Sequence, residues 1–265
     1  MNNLPERKIS MHPNLQILFQ DETILAVNKP AGILVIPDRW DKTKPNLIAL
    51  LSNLYPDCRF YIVHRLDEGT SGVVLFARTA DAHRILNQQL QDRRVEKIYL
   101  AIVTGEFEAD QGSIDLPIGS DSQKKNRMTI QRTGKESITE YEVLQRFRGF
   151  TYLKVKPKTG RTHQIRVHLK AIGHPLAVDP IYGKESAIYL SQMKPNYKQK
   201  PDEPERPLIQ RLTLHAAEIQ FTHPTTGERM TASAEFSKDF RAFLHALEKY
   251  RGKPGKKSNW HDPAA

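Results

Sequence analysis

The sequence has 265 residues, with 40 Lys plus Arg against 30 Asp plus Glu, a formal charge of +10 and a pI near 9.6. A charged fraction of 26% and a hydrophobic fraction of 38% belong to a globular chain long enough to bury a sizeable core, which excludes wholesale disorder. No apolar run approaches the roughly 20 residues of a membrane-spanning helix, and the start, MNNLPERKISMHPNLQ, lacks the apolar stretch of a secretory signal. Cys58 is the single cysteine, so an intramolecular disulfide framework and a thiolate-rich metal cluster are excluded. The expected setting is the cytoplasm, with no membrane partner.

In chain order, residues 1–14 are polar and read as an N-terminal arm. Two short apolar runs, LQILF and ILAVNK, flank the turn-like Gln20-Asp21-Glu22 and read as a hairpin ended by Pro30 and Gly32. FYIVHRL reads as a strand that carries His64 and Arg65 to the Gly-rich turn Asp67-Glu68-Gly69-Thr70-Ser71-Gly72, and VVLFA as the next strand. Thr79 is a candidate cap for a helix whose Ile85, Leu86 and Leu90 share a face. Further strands are expected at 97–103, 138–147 and 150–156, the last two joined by Arg148-Gly149. Residues 162–172 read as a helix with Thr162 as N-cap, Ile165, Leu169 and Ile172 on one face, His163, Arg166 and Lys170 opposite, and Gly173 as the stop. A proline-rich stretch at 184–207 reads as an inserted surface loop. A hairpin about His223–Gly227 then leads to a last helix, capped by Ser237 and buried by Phe240, Phe243, Leu244 and Leu247. The whole is expected to be one α+β domain over 15–250 with a mixed, mainly antiparallel sheet, followed by a basic flexible tail at 251–265.

Positive charge is concentrated at 123–135, at 161–170 and at 249–257, a distribution that fits a polyanionic partner better than one solvated face. Three stretches combine ionisable groups with tight turns. In His64-Arg65-Leu66-Asp67, Asp67 is a candidate reactive carboxylate, although an aspartate at a turn is ordinarily structural. In Lys97-Ile98-Tyr99, a tyrosine on the more polar strand face could stack on a base or move a proton, or simply pack at a core edge. In Gly160-Arg161-Thr162-His163-Gln164-Ile165-Arg166-Val167-His168, two arginines and a histidine could hold phosphate or form ion pairs. His163 and His168 are not spaced to share a helical face, no HExxH motif is present, and the neighbours are basic, so no metal site is expected. No P-loop or dinucleotide fingerprint is present either, and no cofactor is expected.

Taken together these stretches resemble the pseudouridine synthases of the RluA type. The resemblance runs from about Leu15 to Phe240 and is carried by Val27-Asn28-Lys29-Pro30-Ala31-Gly32, by His64-Arg65-Leu66-Asp67 with Thr70-Ser71-Gly72, by Lys97, Tyr99, Ala101, Val103 and Gly105, by the Gly160–His168 stretch, and by Gly173-His174-Pro175 to Tyr182-Gly183. It implies a catalytic domain with a bisected, mainly antiparallel sheet flanked by helices and loops, and a central RNA-binding cleft. It also implies isomerisation of specific uridines to pseudouridine in structured RNA, a ribosomal or transfer RNA stem-loop, on a flipped-out nucleotide. By the match Asp67 is the catalytic aspartate, Tyr99 the uracil-stacking tyrosine and Arg166 the basic partner of the aspartate, with Arg65, His64, Arg161, His163 and Lys97 as RNA-binding residues. The arm before Leu15 leaves no room for the small N-terminal RNA-binding domain of many relatives, and Val178 stands where relatives often have glycine. The expectation is a monomer without an obligate protein partner. The competing reading is a structured-RNA binding module without catalysis, which explains the charge but not a carboxylate set among basic groups. A metal-dependent phosphoesterase is more distant.

Overall fold

The computed structural model describes residues 15–124, 126–199 and 203–253; the expected N-terminal arm and the tail beyond 253 lie outside the described residues. The elements are β1 (Gln16–Gln20), β2 (Ile24–Lys29), α1 (Leu47–Leu54), β3 (Tyr61–Ile62), β4 (Ser71–Ala77), α2 (Ala80–Gln91), β5 (Glu96–Thr104), β6 (Gln111–Asp115), β7 (Ile118–Ser120), β8 (Met128–Ile130), β9 (Ile138–Phe147), β10 (Phe150–Pro157), α3 (Gln164–Ala171), β11 (Leu214–Thr222), β12 (Arg229–Ser233) and α4 (Lys238–Arg251). One large sheet runs in the order β1-β2-β4-β11-β5-β10-β9-β6, with β3 added on β4 and β12 on β11, while β7 and β8 form a separate ribbon. The fold is α+β and mainly antiparallel, as expected.

Strand pairing between its two halves is confined to a single parallel pair. β4 and β11 share only the registers Ser71–His215 and Gly72–Ala216. Gly72 has φ +115, and a Cβ there would lie 2.1 Å from the Ala216 carbonyl oxygen, so glycine is required for the two backbones to close. Side-chain alternation places a helix of each half on each face. Leu47 and Leu51 of α1 pack on Leu25, Val27, Val74 and Phe76, whereas α2 packs Ala82 and Leu86 on Ile24, Ala26, Leu75 and Ala77. Across the seam, Ile165 and Leu169 of α3 meet Ala101, Val103, Leu153 and Val155, while Phe240, Phe243, Leu244 and Leu247 of α4 meet Leu100, Ile102 and Tyr152. Tyr99 touches both the α1 and the α3 clusters, so it stands where the two halves adjoin.

Several expectations need correction. His64 to Asp67 do not end a strand. β3 stops at Ile62 because the next amide on β4, Leu75 N–H, is taken by the His64 ring (3.1 Å) instead of a backbone carbonyl, and the chain continues irregularly to Thr70. α3 begins at Gln164 with His163, not Thr162, at its N-cap, and that cap makes no side-chain bond because His163 is left-handed (φ 56). Ser237 occupies the N-cap of α4 as expected but makes no side-chain capping bond; its hydroxyl donates to Asp239 (2.5 Å), whose carboxylate accepts the Phe240 amide (2.8 Å). The stretch 184–207 is not only a surface loop, since Ala187, Ile188 and Met193 are buried and Ile188 bridges Ile209. Thr79 caps α2 as expected, accepting from Ala82 N at 3.2 Å, and the β9–β10 hairpin turns at Gly149.

Because an added Cβ would run into the Ala216 backbone at the seam, Gly72→Ala is expected to cost about 3 kcal/mol, visible as a melting temperature lower by roughly 6 °C or more at this chain length. Gly149→Ala, where an added Cβ meets nothing within 4 Å although φ is +81, should cost only the backbone strain, about 1 kcal/mol.

Candidate active site

A cleft of about 930 Å³ opens at the seam, and all eight residues singled out from the sequence line it: His64, Arg65 and Asp67 from the irregular segment before β4, Lys97 and Tyr99 from β5, and Arg161, His163 and Arg166 from the loop and start of α3. Residues at the rim add Arg93, Lys156 and Lys158, so that seven Lys and Arg side chains of the lining face two carboxylates, Asp67 and Glu96. Such a surface attracts a polyanion.

At the floor of the cleft lies a charge cluster. Arg166 is 4% exposed. Its Nη1 donates to Asp67 Oδ2 (2.9 Å), while Nε and Nη2 donate to the two oxygens of Asp179 at 2.8 and 2.9 Å. Asp179 is wholly buried, and its Oδ1 also accepts the amides of Ile181 (2.9 Å) and Tyr182 (3.0 Å). Burial pushes the Asp179 carboxyl up, but the bonds and charge of Arg166, with those amides, hold it below its ordinary value. Arg166 itself is disfavoured by burial and restored by the two aspartates, ending above its ordinary value. The Tyr182 ring lies 5.0 Å from the guanidinium, a cation–π contact that covers it further. Asp67 keeps about a quarter of its side chain open to the cleft.

The two histidines do not supply charge. His64 accepts the Leu75 amide on Nε2, so its proton sits on Nδ1; burial, then Lys97, push it down to about 3. His163 stands with Nε2 3.9 Å from Asp67 and Nδ1 2.9 Å from the Tyr182 hydroxyl, which also accepts the Met128 amide. Burial pulls its pKa down; Asp67 opposes this, while Arg166 and Arg65 reinforce it. Both rings are therefore held below their ordinary value in the free protein. Tyr99 is half-buried and keeps its proton, because burial and then the Asp67 charge raise its pKa. Lys97 is pulled down by burial. Arg65 and Arg161 are exposed; Arg161 spends only Nε, on the Glu136 carbonyl at 3.1 Å.

Three supporting residues escaped assignment from the sequence. Asp179 looks there like one more turn aspartate before a proline. Gln164 ties the motif loop together: its carbonyl oxygen accepts from Thr159 Oγ1 (2.7 Å) and Arg161 N (3.0 Å), and its amide donates to Ile138 O and Thr139 Oγ1. Lys29 is fully buried and donates to the carbonyls of Pro30 (3.0 Å), Ile33 (2.7 Å) and Glu68 (3.0 Å), pinning the residue that follows Asp67. Burial pushes Lys29 down to about 7 against the pull of Asp67 and Glu68. The only sequence signal for these residues was their membership of, or adjacency to, the matched stretches.

Comparison with known proteins gives the family. The family model for RNA pseudouridylate synthase matches residues 23–171, and Ribosomal large subunit pseudouridine synthase D of Pseudomonas aeruginosa is 40% identical over 247 residues, covering 89% of this chain and 73% of that one. The chain belongs to the RluA-type RNA pseudouridine synthases. Ribosomal large subunit pseudouridine synthase D of Nitrosomonas europaea is 39% identical over 88% of this synthase, which spans 65% of that relative's length. The solved structure of human RNA Pseudouridylate Synthase Domain Containing 1 superposes with a TM-score of 0.64 at 29% identity, covering 84% of each chain. Membership sets aside the non-catalytic binding module: the synthase is an enzyme that isomerises uridine in RNA.

If Asp179 acts only by holding Arg166, Asp179→Asn should lower turnover on saturating RNA about tenfold or more without weakening RNA binding, since Asp179 is out of reach of RNA. It should also lose stability, of the order of the 3–5 kcal/mol seen when one partner of a buried pair is removed. The sign with pH follows from the depressed carboxyl. Its stabilisation is fully present above the unfolded value near 4 and lost as pH falls through the lower folded value. Urea titrations of the two proteins should therefore differ at neutral pH and converge under strong acid.

Proposed function

We propose that Asp67 is the catalytic carboxylate, acting on a uridine flipped out of structured RNA into the cleft, and that the RNA is large-subunit ribosomal RNA. The observation that carries the reading is the Asp67–Arg166 pair, a partly open carboxylate held by a buried cation beside Tyr99 on the floor of a basic cleft. The reaction breaks the bond between N1 of uracil and C1′ of ribose, turns the base and joins C5 to C1′. C5 gives up its proton and N1 gains one. There is no net redox change and the base stays in the site, so the chemistry calls for no electron carrier. The carboxylate serves as nucleophile or as base, and the Arg166 guanidinium holds it in place by a 2.9 Å hydrogen bond.

A stacked base is out of reach of Asp67, and flipping costs a few kcal/mol. Tyr99, at the junction of the two half-sheets, is positioned to return roughly 1–3 kcal/mol by stacking. Arg65 is exposed beside Asp67 and suits the space that the flipped nucleotide leaves in the RNA. Lys97 and Arg161 suit backbone phosphates, while His64 and His163 offer imidazole rings. The choice of ribosomal over transfer RNA rests on the names of the relatives, which specify the ribosomal large subunit.

Asp67→Asn should leave a folded protein that binds RNA and loses turnover by about a thousandfold or more. Tritium release from RNA labelled at uracil C5 reads this directly. Release near the parent rate would remove Asp67 from the mechanism, and Glu68 would be tested next. The same assay on transcripts of large-subunit ribosomal RNA and of transfer RNA decides the substrate; release from transfer RNA alone would overturn the ribosomal assignment.

A further inference from the structure

Trp40 is 87% exposed, by far the most open of the large hydrophobic side chains among the described residues. It sits on the loop between β2 and α1, and that loop is not slack. Asp38 Oδ1 accepts the amides of Trp40 (2.8 Å) and Asp41 (3.1 Å), and Asp41 Oδ1 accepts the amide (3.0 Å) and hydroxyl (2.5 Å) of Thr43. Two successive Asx-type turns thus hold the indole out in water at little further entropic cost. The loop neck is closed by Leu34 N to Pro45 O (3.1 Å) and Leu47 N to Leu34 O (2.9 Å).

The neck is fastened to the catalytic segment. Gly32 N donates to Glu68 O (2.8 Å), Lys29 Nζ bonds both Ile33 O and Glu68 O, and Ile33 and Val35 pack in one cluster with Leu66. The loop is therefore continuous with the wall that carries Asp67. Trp40 stands five residues beyond Val35, a reach of at most about 18 Å. Its carboxylate neighbours are turned onto backbone amides, and Asp38 also faces Lys44 at 3.7 Å. Arg39 and Lys42, near Trp40 in the chain, are exposed, as is Asp41.

We propose that Trp40 is a stacking platform for an unpaired base of the substrate RNA, outside the catalytic cleft and flanking the target uridine. An open indole on a loop with exposed Arg39 and Lys42 suits a base joined to phosphate, because stacking tolerates any base and a cation can meet the backbone. The indole adds nothing to the core at 87% exposure, and the loop that carries it is bonded to the segment holding Asp67. The inference rests on the RNA-cleft reading above, but its first test does not need catalysis.

The sequence contains two tryptophans, Trp40 and Trp260. In a Trp260→Phe background, fluorescence therefore reports Trp40 alone. Titration with a ten-nucleotide oligouridylate should quench it, whereas a ten-unit abasic ribose-phosphate of equal charge should not. Trp40→Ala should raise KM for large-subunit ribosomal RNA by about 5- to 150-fold, the range for losing one stacked base, with kcat unchanged, and Trp40→Phe should keep most of the affinity. Equal quenching by the abasic strand, quenching that follows protein concentration, quenching by anionic lipid vesicles but not RNA, or parent-like KM in Trp40→Ala would each overturn the proposal. Quenching by oligouridylate in a protein that releases no tritium from any RNA would keep the stacking site and sink the catalytic reading instead.

Discussion

A buried guanidinium, that of Arg166, holds the floor of the cleft together across the seam between the two halves of the molecule. Arg166 belongs to α3, on the β11-β5-β10 side, and Asp67 to the segment entering β4 on the other side; the strands themselves meet over only two residue pairs. Putting a cation and two carboxylates out of water costs several kcal/mol per ion unless the geometry is good and the remaining lone pairs are used. Here Asp179 accepts two guanidinium bonds and two backbone amides, and Asp67 accepts the third guanidinium bond. The cluster thus aims the carboxylate and ties the seam at once. Lys29 does the corresponding work behind the turn, by three bonds to carbonyls.

The regular parts of this arrangement were legible in the sequence. β9 and β10, with their Gly149 turn, and the apolar face of α3 follow from period and turn chemistry, and all eight chosen residues do line one cleft. What escaped was set by contacts between distant segments. His64 lies in a strand-like run, but its ring replaces the backbone in bonding Leu75 and ends β3. His163 reads as helix, yet the Gln164 side chain bonds Thr159, Arg161 and strand β9, and the backbone before it turns left-handed. Asp179 has the local signature of any turn aspartate, and only the fold reveals that it faces Arg166 thirteen residues earlier. The helix α1 is short, and its apolar run LIALLSNL carries no acidic residue in the first turn and no basic one in the last to mark its ends.

Burial also decides which basic groups can speak to RNA. Residue type alone makes His64 and His163 look like phosphate contacts, but both are depressed, whereas Arg65 and Arg161 are exposed and permanently charged. The rim can therefore attract phosphate at neutral pH without any change in the protonation of the floor.

That separation answers a difficulty raised by any carboxylate in an anion-binding cleft. An accessible arginine beside Asp67 would be contested by phosphate, which forms strong forked bonds with guanidinium. Arg166 escapes the contest because Asp179 takes two of its N–H groups from behind, Tyr182 covers the ring of charge, and only 4% of the residue meets solvent. Its remaining attraction is directed at Asp67. Phosphates are left to the other basic residues of the lining, Arg65, Lys156 and Arg161 among them, which are set against the repulsion between Asp67 and the RNA backbone. The second aspartate thus lets one cleft offer cations to a polyanion at its rim and still reserve one guanidinium for Asp67 at its floor.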